Sequence, residues 1–208
     1  MSAVVVFLLT LVLVAFGQPA AAITLDFEGL ADGESVTTQF SGVTFGNTIA
    51  LISGAAGGTL NEIDFPPHSG ITVVFPDSGP ITISFATPVA SVSGFFTYAA
   101  SLTLTALDAS LAIVATDTSD FSENFGSSGT GVPNELLEVA FAGGISSVTI
   151  AGGDTLTLDD LTFVAAAQAA APETPTYALL LVAAAVFIAV AGRPRRLCRV
   201  SLRPPIAR

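Results

Sequence analysis

Carboxylates are the main chemical resource of this sequence. All seventeen Asp and Glu residues lie between Asp26 and Glu173, and several come in close pairs: Asp26 with Glu28, Glu62 with Asp64, Asp159 with Asp160. Two carboxyl groups held about 5 to 9 Å apart across a cleft can hydrolyse a glycosidic bond. The supporting groups for that chemistry are scarce. Residues 23–164 contain no Lys, Arg or Trp, and only one His, His68, and one Tyr, Tyr98, so little is available to stabilise charge around a sugar. His68 lies in the stretch Asn61 to Ser69 with no Gly-x-Ser-x-Gly pattern and no metal-ligand spacing around it. The single Cys, Cys198, falls far beyond this region, which removes thiol and disulfide chemistry from it. The expectation is a protein that is not an enzyme. Aromatic faces are the other resource, because sugar rings stack on them. Tyr98, Phe65 and His68 are the candidate ligand contacts, although a Tyr on a strand also reads as a half-buried core residue.

The elements that must position these groups read as strands. Period-two alternation with β-branched residues recurs in ITLDF, GVTF, ITVVF, ITISFA, VASVSGFFTY, LTLTALD, LAIVATDT, LLEVAF, SSVTIAG and TLTLDDLTFV. Turn chemistry separates them at Gly57-Gly58, Pro66-Pro67, Pro76 to Pro80, Gly143-Gly144 and Gly152-Gly153-Asp154. The expected fold is all-β, an antiparallel β-sandwich of two sheets packed face to face over residues 23–164, the usual size of one domain.

Strand parity places the acids. In Ile23 to Glu28, alternation puts Ile23, Leu25 and Phe27 on one face and Asp26 and Glu28 on the other. In Thr155 to Val164, the parity of Leu156 and Leu158 is broken by Leu161 and Phe163. A β-bulge at Asp159-Asp160 restores the inward face and lets both acids lean outward.

The chain ends carry addresses. Ala3 to Phe16 is an apolar run followed by Ala20-Ala21-Ala22, small residues at the positions of an A-x-A cleavage site, so residues 1–22 read as a signal peptide cut after Ala22. Near the other end, Tyr177 to Ala191 is uncharged and apolar, about 22 Å as a helix, short for a hydrocarbon core of about 30 Å but extended by snorkelling Arg. All six cationic residues are Arg, from Arg193 onward. Acids before an apolar run and Arg after it satisfy the positive-inside rule, with 177–191 as a transmembrane helix and 197–208 as a cytoplasmic tail. Residues 165–171 form an Ala-rich linker. An exported domain with this acidic excess repels nucleic acid and leaves cationic partners open.

Pro172-Glu173-Thr174-Pro175, the apolar run, and Arg193, Arg195 and Arg196 together resemble the PEP-CTERM sorting signal over residues 172–196. Thr174 stands where that family usually has Pro. The resemblance implies recognition by an exosortase, cleavage near the motif, and passage from an inner-membrane-tethered precursor to the cell surface or extracellular matrix of a Gram-negative-type bacterium. ITLDFEGL, ITISFATPVASVSGFFTY and LTLDDLTF look like the β-sandwich modules of such proteins, which are similar to galactose-binding-like and carbohydrate-binding jelly rolls. That similarity implies contact with extracellular polysaccharide and a structural calcium ion between the terminal strands, for which Asp26, Glu28, Asp159 and Asp160 are the candidate ligands. The alternative expectation keeps the sandwich and makes it a periplasmic, membrane-tethered glycan-active enzyme.

Overall fold

The computed structural model describes residues 21–153 and 155–166. Ala20 of the cleavage site, most of the signal peptide, the sorting motif, the 177–191 run and the Arg tail lie outside them. Among the described residues no helix is long and apolar enough to cross a membrane.

The chain is all-β. Its strands are β1 (Ala22–Leu25), β2 (Val43–Gly46), β3 (Thr48–Ile52), β4 (Thr72–Pro76), β5 (Ile81–Tyr98), β6 (Thr103–Leu107), β7 (Ile113–Thr118), β8 (Glu135–Ala151) and β9 (Leu156–Ala165), with one 3-10 turn at Gly54–Ala56. They join in one nine-stranded sheet in the order β3-β4-β9-β5-β8-β6-β7, with β1 paired to β9 and β2 to β5. Every pairing between strands is antiparallel.

Two of the expected breaks are bends instead. ITISFA and VASVSGFFTY form one strand, β5, whose register shifts between Ser84 and Ser91. LLEVAF and SSVTIAG likewise form β8, so Gly143-Gly144 sits within a strand rather than at a reversal. Gly144 has φ +96°, which bends the strand without a Cβ to obstruct it. The first half of β5 lies between β2 and β8, and its second half between β8 and β9. Side chains from β2 (Val43, Phe45), β4 (Val74), β6 (Leu104) and β9 (Leu158, Leu161) thereby join one hydrophobic cluster around Ile83, Val92, Phe96, Val139 and Val148.

β1 departs from its expected alternation. The strand ends at Leu25, Ile23 is 48% exposed, and Phe27 reaches the core through a left-handed φ of +59° rather than by strand parity. Its ring meets Phe40 and Phe45 edge to face at 5.6 and 5.9 Å.

Candidate functional site

Glu28, just past β1, and Asp159 and Asp160 of β9 converge on one segment, residues 66–72. Pro66 and Pro67 bias this segment toward extended backbone and cannot donate. The N–H groups that follow turn to carboxylates. Glu28 Oε1 accepts from the backbone N–H of Ile71 and of Thr72, both at 2.8 Å. Asp159 Oδ2 accepts from the backbone N–H of His68 at 2.7 Å and of Ser69 at 2.9 Å. Asp160 holds the side chains of the same two residues: Ser69 Oγ donates to its Oδ1 at 2.9 Å, and His68 Nδ1 lies 2.6 Å from its Oδ2. Gly70, at φ +56°, has the Glu28 carboxylate where a Cβ would stand.

The bulge that delivers Asp159 and Asp160 is the expected one. β9 loses register with β5 between Ser93 and Phe95, and Asp160 takes φ +46°. One expectation is corrected. The bulge does not turn both acids outward, because Asp159 is 1% exposed. Burial pushes its carboxyl up to about 6, against the backbone N–H groups of Ser69, Asp160 and His68 that favour its charge.

His68 lies flat on Phe95, ring centroids 3.4 Å apart and planes 7° from parallel, with its side chain 38% exposed. When Nδ1 donates to Asp160, Nε2 is left as the basic ring nitrogen. Phe95 is opposite Asp159 on β9 and Leu136 on β8, so all three share the sheet face that the loop covers. A second loop meets the first there. Phe65 stacks on Phe125 at 6.1 Å, the Gly126 N–H donates to the Asp64 carbonyl at 2.8 Å, and the Ser127 N–H to Asp64 Oδ1 at 3.1 Å. Hydrogen bonds from Ser127 hold the Asp64 carboxyl below its usual range.

Of the aromatic candidates, the fold brings Phe65 and His68 to this covered face as half-exposed rings. Tyr98 is corrected: it is fully buried and presents no face to a ligand. Its hydroxyl donates to Glu135 Oε2, and burial, then that carboxylate, pushes the phenol up to about 12. Phe95, Ser69 and Phe125 belong to the site and were not singled out by sequence. Phe95 sits in the FFTY run, where parity marks it as opposite to buried Phe96, and that was the available signal.

Three of the four acids expected to share calcium, Glu28, Asp159 and Asp160, meet at the 68–72 loop. Among the described residues no group of three or more His, Cys, Asp or Glu is arranged to hold a metal ion. Calcium requires six to eight oxygens. Glu28, Asp159 and Asp160 accept from that loop, and exposed Asp26 accepts from the Glu28 N–H at 3.2 Å. No protein-family model matches the chain, and comparison with curated proteins finds no match.

Proposed function

We propose that this chain is an exported, non-enzymatic surface or extracellular-matrix protein, sorted through its C-terminal signal by an exosortase. The observation that carries the reading is the charge partition: sixteen acids and no Lys or Arg before the linker, then an apolar run, then six Arg. The Pro172-Glu173 motif stands directly before that run, and a proline disfavours helix in the residue before it, here Ala171 and Thr174, which suits a transpeptidase cleft. The domain is read as a jelly-roll-like sandwich. Support for this comes from β5 and β8, which bend so that strands far apart in the sheet order share one core. Its polysaccharide-facing surface is the Phe65, Phe125 and His68 face. Mass spectrometry of the protein from hosts with and without an exosortase tests the sorting: residues 177–208 are lost from the mature form only where the exosortase is present. Intact peptides from Arg193 onward on the surface form overturn it.

One observation favours the alternative, a tethered glycan-active enzyme. Asp160 orients an exposed imidazole, as a carboxylate does for a general base. Turnover of any polysaccharide in a panel that disappears in Asp160→Asn and His68→Gln would establish that reading in place of the first.

A further inference from the structure

The loops that carry Phe65, Phe125 and His68 also hold open apolar side chains. Ile63, two residues before Phe65, is 79% exposed. Val132 is 71% exposed, and its carbonyl accepts from Asn124 Nδ2 at 3.0 Å, one residue before Phe125. The open polar side chains beside these rings are acceptors. Glu62 and Asp64 flank Ile63, and both stay ionised at neutral pH. Hydrogen bonds from its own N–H and from those of Gly54 and Ala55 hold the Glu62 carboxyl below its usual range, as those from Ser127 do for Asp64. Asp160 keeps 14% of its side chain exposed beside His68, whose Nε2 is an acceptor when Nδ1 donates.

Side-chain donors of the same loops turn inward. Asn61 Nδ2 donates to Asp64 Oδ2, Ser69 Oγ to Asp160 Oδ1 and Asn124 Nδ2 to the Phe96 carbonyl, each at 2.9 Å. Residues 23–164 contain no Lys or Arg to supply a charged donor. A ligand for this face must therefore bring hydrogen-bond donors of its own, and positive charge on it is favoured. An anionic polymer meets sixteen acids before the linker and a single His to offset them.

We propose that this face selects a polysaccharide of amino sugars whose amines are free and protonated. The inference rests on the reading of the face as the polysaccharide contact and adds which polymer it takes. The apolar side of a sugar ring lies against the Phe65 and Phe125 pair, whose rings are 6.1 Å apart and 19° from parallel. The ammonium groups meet the Glu62 and Asp64 carboxylates and the negative faces of the rings. N-acetylation keeps the sugar ring and removes the charge, so an acetylated chain retains the stacking alone. A uronate chain has the ring with the wrong sign. A basic peptide has the sign without the ring.

Isothermal titration calorimetry of the full chain in a neutral detergent, near neutral pH and at low salt, compares four hexamers: glucosamine, N-acetylglucosamine, a uronic acid and lysine. Expected is about tenfold tighter binding of the glucosamine hexamer than of the N-acetylated one, the size that two exposed ion pairs give, and no binding of the uronate. Phe125→Leu weakens both amino-sugar hexamers about threefold. Two exposed positions separate a local site from diffuse attraction to an acidic protein. Ile63→Lys adds a positive charge at the face and removes the preference for the free amine, whereas Ile113→Lys, 66% exposed in β7, adds the same charge elsewhere and leaves it. Equal loss in both Lys variants overturns the local site. Equal binding of glucosamine and N-acetylglucosamine hexamers that Phe125→Leu weakens overturns the charge selection and leaves the polysaccharide face standing. Tightest binding of the uronate or of hexalysine overturns the amino sugar as the ligand. Failure of every hexamer to bind overturns the polysaccharide face and this inference with it.

Discussion

Asp159 is the residue whose replacement reports most directly on the carboxylate clamp. Its folded-state pKa of about 6 stands above the ordinary 3.8. A carboxyl raised in the fold contributes stability that is fully present below about pH 4 and is lost as pH rises through 6. That interval corresponds to roughly 3 kcal/mol at about 1.4 kcal/mol per pH unit. Asp159→Asn removes the ionisation and therefore this pH dependence. It also disturbs hydrogen bonding. The amide oxygen can accept from the His68 and Ser69 N–H groups, but the amide nitrogen then faces the Asp160 N–H, which at present donates to Oδ1 at 2.7 Å. One poorly satisfied buried donor costs about 1–3 kcal/mol. Near pH 7.5 the ionisation removed outweighs or matches the cost, and the variant is level with the parent or up to about 2 kcal/mol more stable; near pH 4.5, where the parent has lost only about 1 kcal/mol, the variant is level to about 2 kcal/mol weaker. Urea unfolding of residues 21–166 across pH 4.5 to 8 measures this. The carboxyls of Asp32, Glu34, Glu62, Asp64 and Asp108 are held below their ordinary values, so their contributions are lost only as pH falls further, and they are shared by both proteins. A stability difference that stays constant across the range would refute the buried, raised carboxyl.

Three other outcomes are expected. Asn124→Ala strips partners from three backbone groups, the Tyr98 N–H and the Phe96 and Val132 carbonyls, and should cost on the order of 3 kcal/mol in urea or thermal unfolding. Gly58→Ala drives a methyl into the Ile52 carbonyl, and a lowered melting temperature with slower recovery of the native spectrum is the readout. If Asp26, Glu28, Asp159 and Asp160 hold a calcium ion, millimolar calcium raises the melting temperature above that in chelator; superimposed transitions remove the ion.

Strand existence was legible because half-buried strands print their parity on the sequence. The bulge at Asp159-Asp160 was legible for the same reason, as a parity break with a physical remedy. β3 was not: Thr48–Ile52 alternates without a charged or strongly polar residue facing out, because Ser35, Val36 and the Asp32 carboxylate cover its outer edge. The bends in β5 and β8 were invisible too, since Gly143-Gly144 reads alike as a reversal and as a kink. At the site, sequence found the acids, Phe65 and His68 but gave Asp159 the wrong direction. Which way it turns depends on two N–H groups 90 and 91 positions upstream, and no local pattern encodes that. The same holds for the His68–Phe95 stack.

The position of β9 governs when this domain can fold. It is the last strand made, yet it lies between β4 and β5 and also pairs with β1. Until residues 156–165 are present, β4 and β5 have unpaired edges and the hydrophobic cluster lacks Leu156, Leu158, Leu161 and Phe163. Under the export proposed above, with the N-terminus leading, the domain stays incomplete until Ala165 has emerged. Such late, long-range closure makes folding slow and leaves open strand edges exposed to aggregation in the meantime. On that proposal, the same delay would keep the polypeptide in the unstructured state that threading through a narrow channel requires.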